Sequence, residues 1–229
     1  MKSNIFIYII LCSTIFSQAM YLNKSKGSAF AVIGKYHEGA IRGKDFRSCH
    51  DYGIGFSSVI DGQHELGISS RKNNIDNSTW KGFSSYYNYF IKPSSPVKYF
   101  FGTLFSRFKH NNDIIEETEF KFGLYGDIKG SKSTGLSYYP FFYIGRSKEL
   151  YNFLDSSLDE RNSYEISAVG LSLMFKDTKT TGIGIEPVYI NMTYKDGDRD
   201  CVNYKCDYKY YGVTIYLFEN NTYRRKRSS

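Results

Sequence analysis

Six charged residues stand within strand-like segments, on the side opposite the apolar one: Glu65, Arg71, Arg107, Glu119, Lys121 and Glu186. A charge taken out of water needs a partner. Both signs gathered in one interior therefore predict ion-paired packing, whereas the same residues around a water-filled space would form a narrow charged pore. His37, His50 and His110 fall at one rim of the predicted structure with Asp51 and Asp113 nearby, and His64 falls beside a turn at the other rim. Histidine and aspartate can act as general acids and bases, but no ligand spacing among them supports a metal site. Solvated polar loop residues are the simpler reading, so no catalytic residue, metal or cofactor is expected. Cys49, Cys201 and Cys206 are candidates for a disulfide. Either Cys201 and Cys206 close a local ring or one of them joins Cys49, which leaves one thiol over.

These residues need export before a disulfide can form. Met1 and Lys2 precede an apolar run from Ile5 to Phe16, and Ser17-Gln18-Ala19 then reads as a small-x-small cleavage site. Residues 1–19 are read as a signal peptide. Cys12 follows Leu11, which does not fit a lipoprotein signal, and no later segment is apolar enough for a transmembrane helix. Residues 20–28 form a lead-in, 29–219 one β-barrel domain, and 220–229 a basic tail.

Period-two alternation bounded by turn residues gives ten candidate strands: Ala29–Tyr36, Tyr52–Ile60, His64–Arg71, Thr79–Ile91, Val97–Phe108, Glu117–Asp127, Thr134–Arg146, Ser163–Lys176, Thr181–Tyr194 and Tyr208–Glu219. The connections after odd strands, His37–Asp51, Lys72–Ser78, Lys109–Glu116, Ser147–Asn162 and Lys195–Asp207, are polar and mostly long. Those after even strands are short and carry turn residues such as Asp61-Gly62. Short turns alternating with longer loops are expected of a closed, antiparallel, up-and-down transmembrane barrel. About ten strands are predicted, with eight as the alternative if two hairpins merge.

The faces agree with a wall that has lipid on one side. Tyr211, Val213, Ile215 and Leu217 alternate with Gly212, Thr214 and Tyr216; Val169, Leu171, Leu173 and Phe175 with Ala168, Gly170 and Ser172; Phe120, Phe122 and Leu124 with Glu119, Lys121 and Gly123. Tyr36, Tyr52, Tyr99, Phe108, Tyr194, Tyr208 and Phe218 near strand ends suggest interfacial girdles. Tyr86-Tyr87, Phe100-Phe101 and Tyr138-Tyr139 put aromatics on both faces and leave those registers open. Pro140 and Pro187 lack a ladder N–H and are expected at bulges. Leu150, Phe153, Leu154 and Leu158 follow helical spacing and suggest a short amphipathic helix in the fourth long connection.

Composition excludes several classes. The 229 residues include 22 Tyr and only 4 Pro, and 18% are aromatic, which suits strands with one apolar face better than a helical bundle. The net charge is +7. Lys2 leaves with the signal peptide, and Arg224, Arg225, Lys226 and Arg227 supply most of the remainder. The domain itself is nearly neutral and offers no basic face for nucleic acid. The tail is read as a solvated end able to touch anionic headgroups.

With leader, hairpin alternation and two-faced strands, the sequence resembles the small porin-like outer-membrane β-barrel proteins of Gram-negative bacteria. The segment Tyr52-Gly-Ile-Gly-Phe-Ser-Ser-Val-Ile-Asp-Gly-Gln-His-Glu-Leu-Gly-Ile-Ser is similar to their hairpins. The resemblance implies an outer-membrane location, with membrane lipids and the barrel-assembly machinery as partners and no identifiable soluble partner. It also implies a final strand ending on an aromatic residue, where Phe218 stands with Tyr216 two before it, although Glu219–Ser229 follow. The rim histidines and aspartates are similar in placement to those of the ten-stranded omptin proteases, but no omptin motif matches and the strands read as too short to raise a cleft. The expected function is that of a non-enzymatic integral outer-membrane barrel with a structural or surface-exposed interaction role. A narrow porin for ions or small solutes is the first alternative, and a secreted soluble β-barrel or sandwich binding protein the second.

Overall fold

The computed structural model describes residues 26–39, 49–60, 62–75, 78–91, 95–126, 128–129, 136–152, 159–176, 181–197 and 208–219. The signal peptide, most of the lead-in, the basic tail, Cys201 and Cys206 lie outside them, as does the side chain of Cys49. Among the described residues the chain is all β and antiparallel, with no helix. The strands are β1 (Lys26–Gly39), β2 (Cys49–Ile60), β3 (His64–Ile75), β4 (Ser78–Ile91), β5 (Val97–His110), β6 (Asp113–Gly126), β7 (Ile128–Lys129), β8 (Leu136–Asn152), β9 (Asp159–Lys176), β10 (Thr181–Gly197) and β11 (Tyr208–Glu219).

Consecutive long strands pair up and down, β6 with β8 across the short β7 included, and one further ladder joins the first long strand to the last. β1 pairs with β11 from Ser28↔Glu219 to Gly39↔Tyr208. β6 pairs with β8 from Ile114↔Asn152 to Tyr125↔Phe141. Each long strand thus has a neighbour on both edges. β7 continues β6, since Ile128↔Tyr138 keeps the register of Tyr125↔Phe141.

The strands are longer than the apolar patterns predict. Backbone pairing needs no apolar side chain, so the ladder runs on through Lys72, Asn73 and Asn74 to Ile75↔Ser78, and through Lys109 to His110↔Asp113. The second and third of the expected long loops are therefore each reduced to two residues between paired strands. The third closes over Asn111 at φ 52°, where a side-chain amide makes the left-handed conformation tolerable. β8 and β9 pair as far as Asn152↔Asp159. Leu150 is consequently a strand residue, which overturns a helix spanning Leu150 to Leu158; Phe153, Leu154 and Leu158 lie outside the described residues. At the opposite edge the β2–β3 turn closes where Gln63 N–H donates to Ile60 O at 3.2 Å, with Gly62 at φ 68°.

The prolines do not sit at bulges. Across Pro140 the β6/β7 ladder with β8 continues in one register without an added residue. Across Pro187 the β9–β10 ladder passes from Ile185↔Leu173 to Val188↔Gly170 in the same register. A missing N–H removes a rung while the fixed φ remains compatible with an extended chain. Among the described residues these ladders shift register at Lys195, between Tyr194 and Asp196.

The core lies on the inner face and is largely aromatic. On four adjacent-strand pairs a ring faces a glycine directly opposite: Tyr86 opposite Gly67, Phe108 opposite Gly82, Phe100 opposite Gly123 and Phe141 opposite Gly170. A Cβ built on any of these glycines would run into the facing ring. The glycines provide the room that the rings occupy. The expected aromatic pairs also resolve: Tyr86, Phe100 and Tyr139 are buried inside, while Phe101 faces out. Phe108, expected in a girdle, is 3% exposed and inside. Replacing Gly123 by Ala should displace the Phe100 ring and destabilise the protein by about 1–3 kcal/mol, measured by denaturant unfolding of the refolded protein in detergent or lipid.

Candidate functional site: a charged and aromatic interior

Alternation along each strand sends every second side chain inward, and the resulting interior holds nine buried ionisable acids and bases among the described residues. The acids are Asp51, Glu65, Glu117, Glu119, Glu149 and Glu186, and the bases are Arg71, Lys98 and Lys121. Five of the six charged residues expected inside are there. Arg107 is not: it lies on the outer face, about half exposed, with Nε 3.4 Å from Glu116 Oε1. Phe108 takes the inward position that its parity denies Arg107.

The inner charges do not converge on one point. Arg71 pairs with Asp51 across adjacent strands, both side chains fully buried, and its guanidinium lies 5.4 Å from the centroid of the Phe108 ring. Glu65 accepts hydrogen bonds from Tyr86 Oη at 2.8 Å and Asn88 Nδ2 at 3.1 Å. Lys121 Nζ lies 3.8 Å from Glu119 and 5.1 Å from the Tyr143 ring centroid. Ser147 donates to Glu117 at 3.0 Å, and Ser172 donates to Glu186. Each is a cross-strand or near-neighbour arrangement that offsets the cost of burying charge.

Aromatic rings occupy much of the space beside these pairs. Phe90, Phe100 and Tyr125 lie with centroids 5.3–6.2 Å apart. Tyr125 reaches Phe141 at 5.2 Å, and Phe100 reaches Tyr143 edge-on at 6.4 Å. Rings from four strands, β4, β5, β6 and β8, are thereby in mutual contact at separations favourable for aromatic pairs.

Sequence reasoning missed Asp51, Lys98, Glu117, Glu149 and the ring cluster. Asp51 and Glu149 fall in expected loops because polar strand ends carry no alternation and look like connections. The paired aromatics Tyr86-Tyr87 and Phe100-Phe101 held the signal for the cluster, since a period-two chain must turn one member of each inward. Of the histidines expected at the rim, the side chains of His37 and His50 lie outside the described residues. His110 stacks on buried Trp80 at 5.1 Å and donates from Nδ1 to Thr79 O at 2.8 Å, while Asp51 points inward to Arg71. His64 lies at the opposite end, hydrogen-bonded to Tyr87 Oη at 2.8 Å and 5.3 Å from the Tyr89 ring. Among the described residues no three His, Cys, Asp or Glu side chains are grouped to hold a metal ion.

The two expected-interior arginines give a direct contrast. Arg71→Ala removes the cation facing fully buried Asp51 and should cost about 3–5 kcal/mol. Arg107→Ala breaks only a half-exposed pair and should cost less than about 1 kcal/mol. Unfolding midpoints of the two variants, measured side by side, check the ordering.

No family described by a sequence model matches this chain, and no curated protein matches it. Solved structures of similar shape have low identity. The chain is similar to Neisserial surface protein A, with 8% identity and a TM-score of 0.42 over 86% of this chain and 98% of that one. It is similar to the N-terminal β-barrel domain of Pseudomonas aeruginosa OprF, with 11% identity and a TM-score of 0.36 over 85% and 98%. It is also similar to Ail, the attachment invasion locus protein of Yersinia pestis, with 11% identity and a TM-score of 0.35 over 85% and 99%.

Proposed function

We propose that this chain is an integral outer-membrane β-barrel of ten long strands, closed by the β1–β11 and β6–β8 ladders, with a filled, non-conducting interior and no enzymatic activity. The observation that carries the reading is a continuous apolar band on the outer face. It comprises Val97 to Phe105 on β5, Leu136 to Ile144 on β8, Val169 to Phe175 on β9 and Tyr211 to Leu217 on β11, with many of its large side chains about half exposed. Soluble proteins rarely expose apolar surface on this scale, which argues against a secreted soluble carrier. Nine residues of tilted strand rise roughly 23 Å along a barrel axis, close to the ~25 Å apolar band of a transmembrane barrel.

Beyond the band, the outer face turns largely polar on β5, β8, β9 and β10. Arg107 and Lys109 follow on β5, Arg146 and Lys148 on β8, Glu165 and Arg161 on β9, Asn191, Thr193 and Lys195 on β10. These residues form a wall that stands clear of the bilayer, taken here as the external end because the wide connections after β1, β8 and β10 lie there. A surface-exposed interaction role fits such a wall. The leader at residues 1–19 supplies the export step.

A ten-stranded barrel is only modestly wider than the eight-stranded kind that side chains fill, and the Phe90–Phe100–Tyr125–Phe141 cluster supports a blocked lumen over a narrow porin. The wild-type protein, refolded in detergent and added to planar bilayers, is expected to give no stepwise conductance. A Phe90→Ala, Phe100→Ala, Tyr125→Ala triple variant that still shows heat-modifiable gel migration is expected to open. Steady ion conductance by the wild type, lost when Glu119 or Lys121 is neutralised, would establish the channel instead.

A further inference from the structure

A groove of about 860 Å³ crosses the outer face of β5, β6, β8, β9 and β10 at the border between the apolar band and the polar wall. Its lower part is lined by Phe101, Phe120, Phe122 and Ile144, and its upper part by Arg146, Lys148 and the carboxylate of Glu165. The register explains the juxtaposition. Phe122 lies opposite Ile144, Phe120 opposite Arg146 and Thr118 opposite Lys148, so apolar and cationic side chains change over within one rung.

The acids of this face are already engaged. Glu165, opposite Arg146 on β9, holds Lys195 Nζ at 2.8 Å, and Glu116 holds Arg107. Arg146 and Lys148 stand between these two pairs, exposed, with no ion pair of their own among the described residues. The groove is thus apolar below and net cationic above, and its volume falls within the range of sites that hold a small molecule. Apolar rings match acyl chains, while a guanidinium and an ammonium two residues apart on one strand face match a phosphate, with Arg able to bind it in a bidentate manner.

We propose that this groove is a binding site for one phosphate-bearing acylated lipid of the surrounding membrane, its chains on Phe101, Phe120, Phe122 and Ile144 and its phosphate at Arg146 and Lys148. The inference rests on the membrane-barrel reading given above. The lipid caps the concave stretch of the apolar band and anchors the wall at a fixed height above the bilayer.

The test uses the full-length mature protein refolded into mixed micelles containing equal amounts of dioleoyl phosphatidylglycerol and dioleoyl phosphatidylcholine, with retained lipid read by native mass spectrometry. The two lipids share chains and differ in headgroup charge. The wild type should retain one phosphatidylglycerol in preference to phosphatidylcholine by roughly thirtyfold, the scale expected of two interfacial cations. Arg146→Gln/Lys148→Gln should abolish that preference, while Lys72→Gln/Lys81→Gln, which removes two cations from β3 and β4 away from the groove, should keep it. Equal retention of both lipids by the wild type, the same loss in both double variants, or an equal effect from inorganic phosphate alone in competition would overturn the site. Heat-modifiable migration of the same samples separates the two levels: its absence refutes the membrane barrel, whereas its presence without lipid preference refutes only the lipid site.

Discussion

On the membrane-spanning reading proposed above, backbone N–H and C=O groups next to hydrocarbon have no water to bond, so each must find a partner within the chain. This constraint governs the rest of the molecule. The β1–β11 and β6–β8 ladders leave no long strand with an open edge, and the two prolines are accommodated as missing rungs rather than as shifts of register. A shift of one residue would move a whole strand's apolar set to the wrong face. Keeping register across Pro140 and Pro187 therefore matters more than losing one hydrogen bond at each.

Fixed register makes the two faces independent surfaces. Outside, apolar residues run from the turn end upward and give way to Arg, Lys and Glu at staggered heights, as strand tilt requires. Inside, large rings and small residues are matched across the sheet, with Gly67, Gly123 and Gly170 lying opposite Tyr86, Phe100 and Phe141. The buried charges are accommodated locally by short-range partners such as Arg71 with Asp51, and no common reactive centre results. On the reading proposed above, an interior built in this way is a packed core rather than a passage.

The strand directions and the faces of β6, β9 and β11 could be read from alternation alone, because one side of each is almost uniformly apolar. The ends of the strands could not. Polar residues such as Lys72, Lys109 and Glu149 carry no periodic signal, yet their backbones continue the ladder once neighbouring strands hold them in extended conformation, and tertiary pairing overrides side-chain preference there. The same blind spot placed Asp51 in a loop and hid its ion pair with Arg71. Arg107 was misplaced by charge: a charged residue among aromatics suggests the interior, but strict parity with Phe105 and Val97 puts it outside, above the apolar band. Leu150 fits a helical spacing that a strand pairing with β6 and β9 overrules.

The central claim is that the apolar outer band is immersed in lipid while the wall above it is in water. Spin labels placed singly along β9, in a protein whose cysteines have been replaced by serine and reconstituted into bilayers, report it most directly through relaxation by oxygen and by a water-soluble nickel chelate. Labels at Val169, Leu171, Leu173 and Phe175 should be relaxed chiefly by oxygen, those at Arg161, Ser163 and Glu165 by nickel, and those at Ala168 and Ser172 weakly by both. Strong nickel relaxation at Val169, Leu171, Leu173 and Phe175 would contradict the membrane-spanning account.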